Sequence, residues 1–324
     1  MGCSICNKKE KCRARKEIQK EEIRKEKEKI KKEKMKNTAA LSPYIYHRSQ
    51  KIPRLGIGTW TFGENENNKQ TEIRAIQNAI DNYNLTLIDT AEMYADGKSE
   101  KVVGEAIKNY KREDLFIIGK ILPNNAKQGR YEECCKASLL NLGISYFDVY
   151  LLHWRDNINL FDMVLNMEAL KSKGLIKNWG VSNFDTEDIK DLLLVPNGYK
   201  CFVNQVLYNI RYRGIEYDLI PFCKKHGIAI MAYSPFCNTR EMLGISKTDC
   251  VLENICLKED KTLYSLLLGF VIRDNDVFTV FKTTNREHIK ENMKNVYSPL
   301  SDESLQHLNG IFPPPSSKVP LHKI

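Results

Sequence analysis

Leu87-Ile88-Asp89-Thr90-Ala91-Glu92-Met93-Tyr94 is the stretch on which the fold turns. Leu87 and Ile88, with Thr86 beside them, have the short apolar character of the end of a buried strand. The run stops at a carboxylate, Asp89, and a tyrosine follows five residues later. In a parallel β/α barrel such a strand presents Asp89 at its C-terminal end, the face where barrels keep their chemistry. A buried carboxylate needs a partner, because an isolated buried charge is too costly. The next apolar run ends in one: Leu115-Phe116-Ile117-Ile118-Gly119-Lys120. The run after that, Phe147-Asp148-Val149-Tyr150-Leu151-Leu152, leads to His153. Three successive strands each deliver one titratable residue at the same end.

The rest of the chain repeats this alternation. Strands are expected at Leu55–Gly58, Thr86–Ile88, Leu115–Gly119, Phe147–Leu152, Ile176–Val181, Phe202–Val206, Ile228–Ala232 and Val277–Val280. Helices are expected near Thr71–Asn82, Ser99–Asn109, Tyr131–Asn141, Phe161–Ser172, Thr186–Leu194, Glu216–His226, Lys261–Arg273 and Arg286–Asn295, with a hairpin over Tyr44–Pro53. Eight strands alternating with helices imply an α/β fold with a parallel sheet, closed as a (β/α)8 TIM barrel. A doubly wound sheet would want Gly-x-Gly-x-x-Gly after its first strand. Leu55-Gly56-Ile57-Gly58-Thr59-Trp60 lacks the third glycine.

The 324 residues carry a net charge of +9, unevenly spread. Residues 1–40 hold 15 Lys/Arg against 7 Asp/Glu, and the remainder 35 against 34. The body is therefore near neutral, which argues against a nucleic-acid partner. Residues 1–42 read as a basic tail and 43–324 as the barrel domain. The tail begins Met1-Gly2-Cys3-Ser4-Ile5-Cys6 and runs into a Lys/Glu-rich stretch. Gly2 stands at the N-myristoylation position, Cys3 could be palmitoylated, and the basic stretch would add a second membrane signal. Cys6 stands where that pattern prefers Ser or Thr. A solvated, partly helical tail supported by pairs such as Glu21 with Lys25 is the plainer alternative. Cys3, Cys6 and Cys12 lack a fourth ligand, so no metal is expected. Ten cysteines without repeating spacing, and no signal peptide or membrane span, point to a reducing cytoplasmic setting, with peripheral attachment to a membrane through the tail.

Over residues 43–320 the sequence resembles the aldo-keto reductases. The resemblance rests on Gly56-Ile57-Gly58-Thr59-Trp60, Ile88-Asp89-Thr90-Ala91-Glu92-Met93-Tyr94, Leu151-Leu152-His153-Trp154, Trp179-Gly180-Val181-Ser182-Asn183-Phe184, Val203-Asn204-Gln205-Val206 and Met231-Ala232-Tyr233-Ser234-Pro235. Leu207-Tyr208-Asn209, Arg213 to Pro221 and the ending Phe312-Pro313-Pro314-Pro315 make it most similar to the bacterial methylglyoxal-reducing branch. The resemblance implies a catalytic tetrad of Asp89, Tyr94, Lys120 and His153. It assigns Ser182, Asn183 and Gln205 to a nicotinamide carboxamide and Tyr233 to its ring, with Gly58, Thr59, Trp60 and Ser234 nearby. Lys282, Thr283 and His288 fall to the 2′-phosphate of NADPH, and Glu291 and Asn292 to adenine. His288 stands where many relatives have Arg, and Phe281 replaces the usual Pro; Lys282 still favours NADPH, with NADH as the alternative. Trp60, Tyr94, His153 and Trp154 are expected to line the substrate pocket, with the loops Leu122–Gly129 and Phe236–Arg240.

The residue types suit carbonyl reduction, which needs hydride at carbon and a proton at oxygen. An ordinary tyrosine pKa of about 10 is too high for efficient proton exchange at neutral pH. Lys120 would lower it, Asp89 would hold Lys120 charged, and His153 would orient the carbonyl. The expectation is a monomeric NADPH-dependent reductase of small aldehydes and ketoaldehydes such as methylglyoxal. The alternative is a tethered, nicotinamide-sensing barrel adaptor resembling potassium-channel β subunits.

Overall fold

The computed structural model describes residues 40–237 and 246–323. The chain divides between Leu41 and Ser42, and its second part holds the barrel. Gly2, Cys3 and the Lys/Glu-rich stretch lie outside the described residues, as do positions 238–240 of the expected pocket loop.

A hairpin comes first, β1 (Tyr44–His47) and β2 (Gln50–Pro53), paired antiparallel. Eight parallel strands come after it: β3 (Leu55–Gly58), β4 (Leu87–Asp89), β5 (Phe116–Ile121), β6 (Phe147–Leu152), β7 (Ile176–Ser182), β8 (Val203–Leu207), β9 (Ala229–Tyr233) and β10 (Val277–Phe281). They pair in sequence order, and β10 closes on β3 to complete the barrel. Helices α1 (Lys69–Tyr83), α2 (Lys98–Ile107), α3 (Pro123–Lys127), α4 (Tyr131–Leu142), α5 (Leu160–Ser172), α6 (Thr186–Leu194), α7 (Leu219–Lys225), α8 (Ser246–Glu259), α9 (Leu263–Val271), α10 (Arg286–Met293) and α11 (Asp302–Ile311) connect and flank them. Three of these, α3, α8 and α11, are additions to the expected pattern, and α7 starts three residues later than expected. No described helix is long and apolar enough to cross a membrane.

Alternation along each strand explains where the core ends and the chemistry begins. Leu87, Phe116, Ile118, Val149, Leu151, Val203, Ala229, Met231, Phe278 and Val280 belong to one apolar cluster, which Ile45 and Ile52 of the hairpin join. Continuing each row by two residues gives Asp89, Lys120, His153, Gln205, Tyr233 and Lys282. The apolar rows thus run along the strands and turn polar at their C-terminal ends. The hairpin is fastened to other connections: Arg48 donates to the carbonyls of Tyr199, Lys200 and Gly227. Backbone approach between β7 and β8 requires a glycine, since a Cβ on Gly180 would lie 2.3 Å from the Val203 carbonyl oxygen.

Candidate active site

Lys120 is fully buried, and its ammonium spends all three hydrogens. It donates to Asp89 Oδ2 at 2.8 Å, to the Thr90 carbonyl at 3.0 Å and to Tyr94 Oη at 3.0 Å. Asp89 is held at its other oxygen by Gln205 Nε2, at 2.8 Å. Tyr94 Oη accepts from Lys120, so its own proton is left to point elsewhere. Burial would lower the Lys120 pKa, but Asp89 and Tyr94 outweigh it and the net shift is upward. The ammonium is therefore charged throughout the neutral range.

Tyr94 departs from the expectation. Its phenol is pushed up, because burial outweighs the downward pull of Lys120, with Asp89 adding to the upward side. The lysine acts in the expected direction; the desolvation of the buried phenol is larger. His153 is driven the other way, down to about 3, by burial first and by the Lys120 charge second. Its ring is neutral at physiological pH and sits edge-on to Tyr94, centroids 5.9 Å apart at 71°. Nδ1 is buried without a hydrogen-bond partner.

These groups open into a cavity of about 240 Å³. Asp89, Tyr94, His153, Ser182, Asn183, Gln205, Tyr233, Ser234, Lys282 and Gly58 all line it, as does Trp60, which is 53% exposed. Ser182 Oγ donates to the Gln205 carbonyl, Asn183 Nδ2 to the His153 carbonyl, and Tyr233 Oη to Asn183 Oδ1. Asn183 and Ser234 both take left-handed backbone (φ 58° and 52°), a conformation that clusters at functional sites. The cavity also has walls that the sequence did not single out as ligands: Met93, Pro235, Val280 and Phe281. Met93 could have been found from its place beside Tyr94.

Other expected residues lie elsewhere. Trp154 does not line the cavity; its ring packs beside His153, centroids 5.1 Å apart. The 122–129 segment contains α3 and stays out of the wall. Thr59 is buried below the mouth, where its N–H and hydroxyl both donate to the Asp89 carbonyl. Thr283, His288, Glu291 and Asn292 sit beyond Lys282, on the loop after β10 and on α10, outside the lining residues. Thr283 Oγ1 and His288 Nδ1 lie 3.4 Å apart, and buried Asn292 keeps Oδ1 without a partner. Among the described residues no group of three or more His, Cys, Asp or Glu could hold a metal ion.

A closed parallel barrel with a phenol, an ammonium, a carboxylate and a neutral imidazole at one mouth defines a class of barrel oxidoreductase. The chain belongs to the aldo/keto reductase family, whose profile matches residues 54–312. It is 38% identical over 273 residues to the methylglyoxal reductase YeaE of Escherichia coli, covering 84% of this chain and 95% of that one. It is 27% identical to an NADH-specific methylglyoxal reductase of the same organism, covering 78% and 92%. A crystal structure of an aldo-keto reductase from Klebsiella pneumoniae in complex with NADPH superposes with a TM-score of 0.82 at 38% identity, covering 89% of this chain and all of that one.

Proposed function

We propose that this protein reduces small aldehydes and ketoaldehydes of the methylglyoxal type to alcohols, with NADPH as the preferred reductant. The observation that carries the reading is the hydrogen-bonded chain Gln205–Asp89–Lys120–Tyr94, of which Gln205, Asp89 and Tyr94 line a cavity shared with a neutral His153 while Lys120 lies buried behind them. A nicotinamide nucleotide fits the residues present. Gln205 Nε2 is committed to Asp89 Oδ1 and Met231 Sδ, which leaves Oε1 as an acceptor for a carboxamide N–H. Ser182 and Asn183 stand beside it, Tyr233 offers an aromatic face, and the orphaned Asn292 Oδ1 is suited to an adenine amino group. Lys282, with Thr283 and His288 beyond it, would hold a 2′-phosphate. Bound there in reduced form, the nucleotide would supply the hydride.

The chain's own side chains would do the rest. His153 offers its neutral N–H to the carbonyl oxygen and fixes the approach. Tyr94 Oη gives its proton to that oxygen as negative charge builds there, and Lys120 stabilises the phenolate left behind. Asp89 keeps Lys120 aimed. The walls beyond the tetrad, Trp60, Met93 and Phe236, are apolar, which suits small uncharged substrates. The relatives support both halves of the reading: two are named for methylglyoxal, and one solved neighbour holds NADPH.

The test is NADPH consumption with methylglyoxal or 4-nitrobenzaldehyde. Wild type should be active and Tyr94→Phe slower by about 10²–10⁴-fold, the usual worth of a positioned proton donor. An inactive wild type, or a Tyr94→Phe variant as fast as wild type, overturns the reading. Tethering of a cytoplasmic enzyme through Gly2 and Cys3 is a proposal of the sequence alone. A Gly2→Ala variant with an unchanged membrane share would remove the myristoyl anchor from it.

A further inference from the structure

The segment that carries Tyr94 leaves the barrel wall at Asp89 and has little regular structure of its own. It ends in a single 3-10 turn, Tyr94–Gly97, in which Ala95 and Asp96 are both left-handed. Yet Tyr94 Oη must stay at 3.0 Å from Lys120, which belongs to the neighbouring strand. Resting on the reductase reading, we infer that Glu92 is the positioning residue that sets this distance.

Glu92 does not line the cavity. Its carboxylate reaches across to the segment after Lys120. Oε1 accepts from the Leu122 N–H at 2.6 Å and from Asn125 Nδ2 at 2.8 Å. Its backbone N–H meets the Lys120 carbonyl at 3.4 Å. Glu92 lies two residues before Tyr94, and Leu122 two residues after Lys120, so this tie runs beside the phenol–ammonium contact. Asn125 is itself braced, since its Oδ1 accepts from Arg130 Nη1 at 3.0 Å. Two residues further along α3, Lys127 pairs with Asp156 at 2.8 Å, in the loop after His153. The segments that follow β4, β5 and β6 are therefore linked through α3, and Glu92 is the tie on the Tyr94 side. Charge-assisted bonds of this length are the strong ones, and a single carboxylate oxygen receives both.

The test pairs Glu92→Ala with Glu92→Gln, because glutamine keeps an oxygen that can accept both bonds. Glu92→Ala should lose about 10–100-fold in kcat, the effect of a displacement near 1 Å at a reacting group, while KM and NADPH affinity by fluorescence titration stay near wild type. Glu92→Gln should recover most of the kcat. The inference is overturned if Glu92→Ala keeps its kcat, if Glu92→Gln is as slow as Glu92→Ala, or if KM and NADPH affinity collapse together with kcat. If wild type reduces no carbonyl, the proposed function fails separately, and a crystal structure of Glu92→Ala decides. Tyr94 Oη out of hydrogen-bond reach of Lys120 Nζ supports the positioning role, and a retained bond contradicts it.

Discussion

Lys120 has three hydrogens and three acceptors, and this count decides which way the Tyr94 proton can point. Replacing Lys120 by Met should remove the one influence that pulls the phenol down. We expect kcat to fall by about 10²-fold or more, and the alkaline limb of its pH profile to move higher. Asp89→Ala leaves a fully buried ammonium without its carboxylate, which should cost about 3–5 kcal/mol in chemical denaturation. The double variant Asp89→Ala/Lys120→Met should be more stable than Asp89→Ala alone, because it buries no orphan charge. Equal stability of the two would mean that the ammonium left by Asp89→Ala carries no orphan-charge cost.

At the scale of elements, strands were the legible part. β3 and β6 lie where their apolar runs placed them, and the other barrel strands shift by one or two residues at one or both ends. Asp89, Lys120 and His153 were legible because each continues an apolar row at a strand end, whereas Tyr94 lies in the turn beyond β4 and was assigned through the family resemblance. The added helices were harder to read. α3 is five residues long and opens on Pro123, too short for a period to show. α8 mixes charged and apolar residues with little facial segregation. α11 did carry a signature, Ser301 capping Asp302-Glu303 ahead of Leu305 and Leu308, and could have been found. Neither the net direction of the Tyr94 shift nor the wall residues contributed by β10 could be read, because both depend on what surrounds a group after closure. The backbone contact at β7 gives a test of closure. Gly180→Ala should destabilise the fold by about 1–3 kcal/mol or more in thermal or denaturant unfolding, since the facing atom is a backbone carbonyl that cannot swing away.

Taken whole, the barrel keeps one buried imidazole neutral, and that choice has a pH signature. The folded-state pKa of His153 is about 3 against an ordinary 6.5, so below 6.5 the unfolded chain takes up a proton that the folded chain refuses. Stability therefore falls as the pH drops through that window, by up to ~1.4 kcal/mol per pH unit from this group. Glu72 and Glu100 are raised by burial and act in the opposite sense, losing their penalty on acidification. The His153 part is isolated by comparing wild type with His153→Gln: wild type should lose more stability between pH 6.5 and pH 4. The same depressed value predicts no acid limb of kcat from His153 in the physiological range. In the proposed reaction these four side chains deliver a proton while a nicotinamide delivers hydride to the same carbonyl. NADPH deuterated at the transferring position of the nicotinamide, with methylglyoxal as substrate, tests this. The label should appear on the former carbonyl carbon of the alcohol, in proportion to NADPH consumed and about 10²-fold or more slowly in Tyr94→Phe. NADPH consumed without label in the alcohol, or label transferred equally fast by Tyr94→Phe, would contradict it.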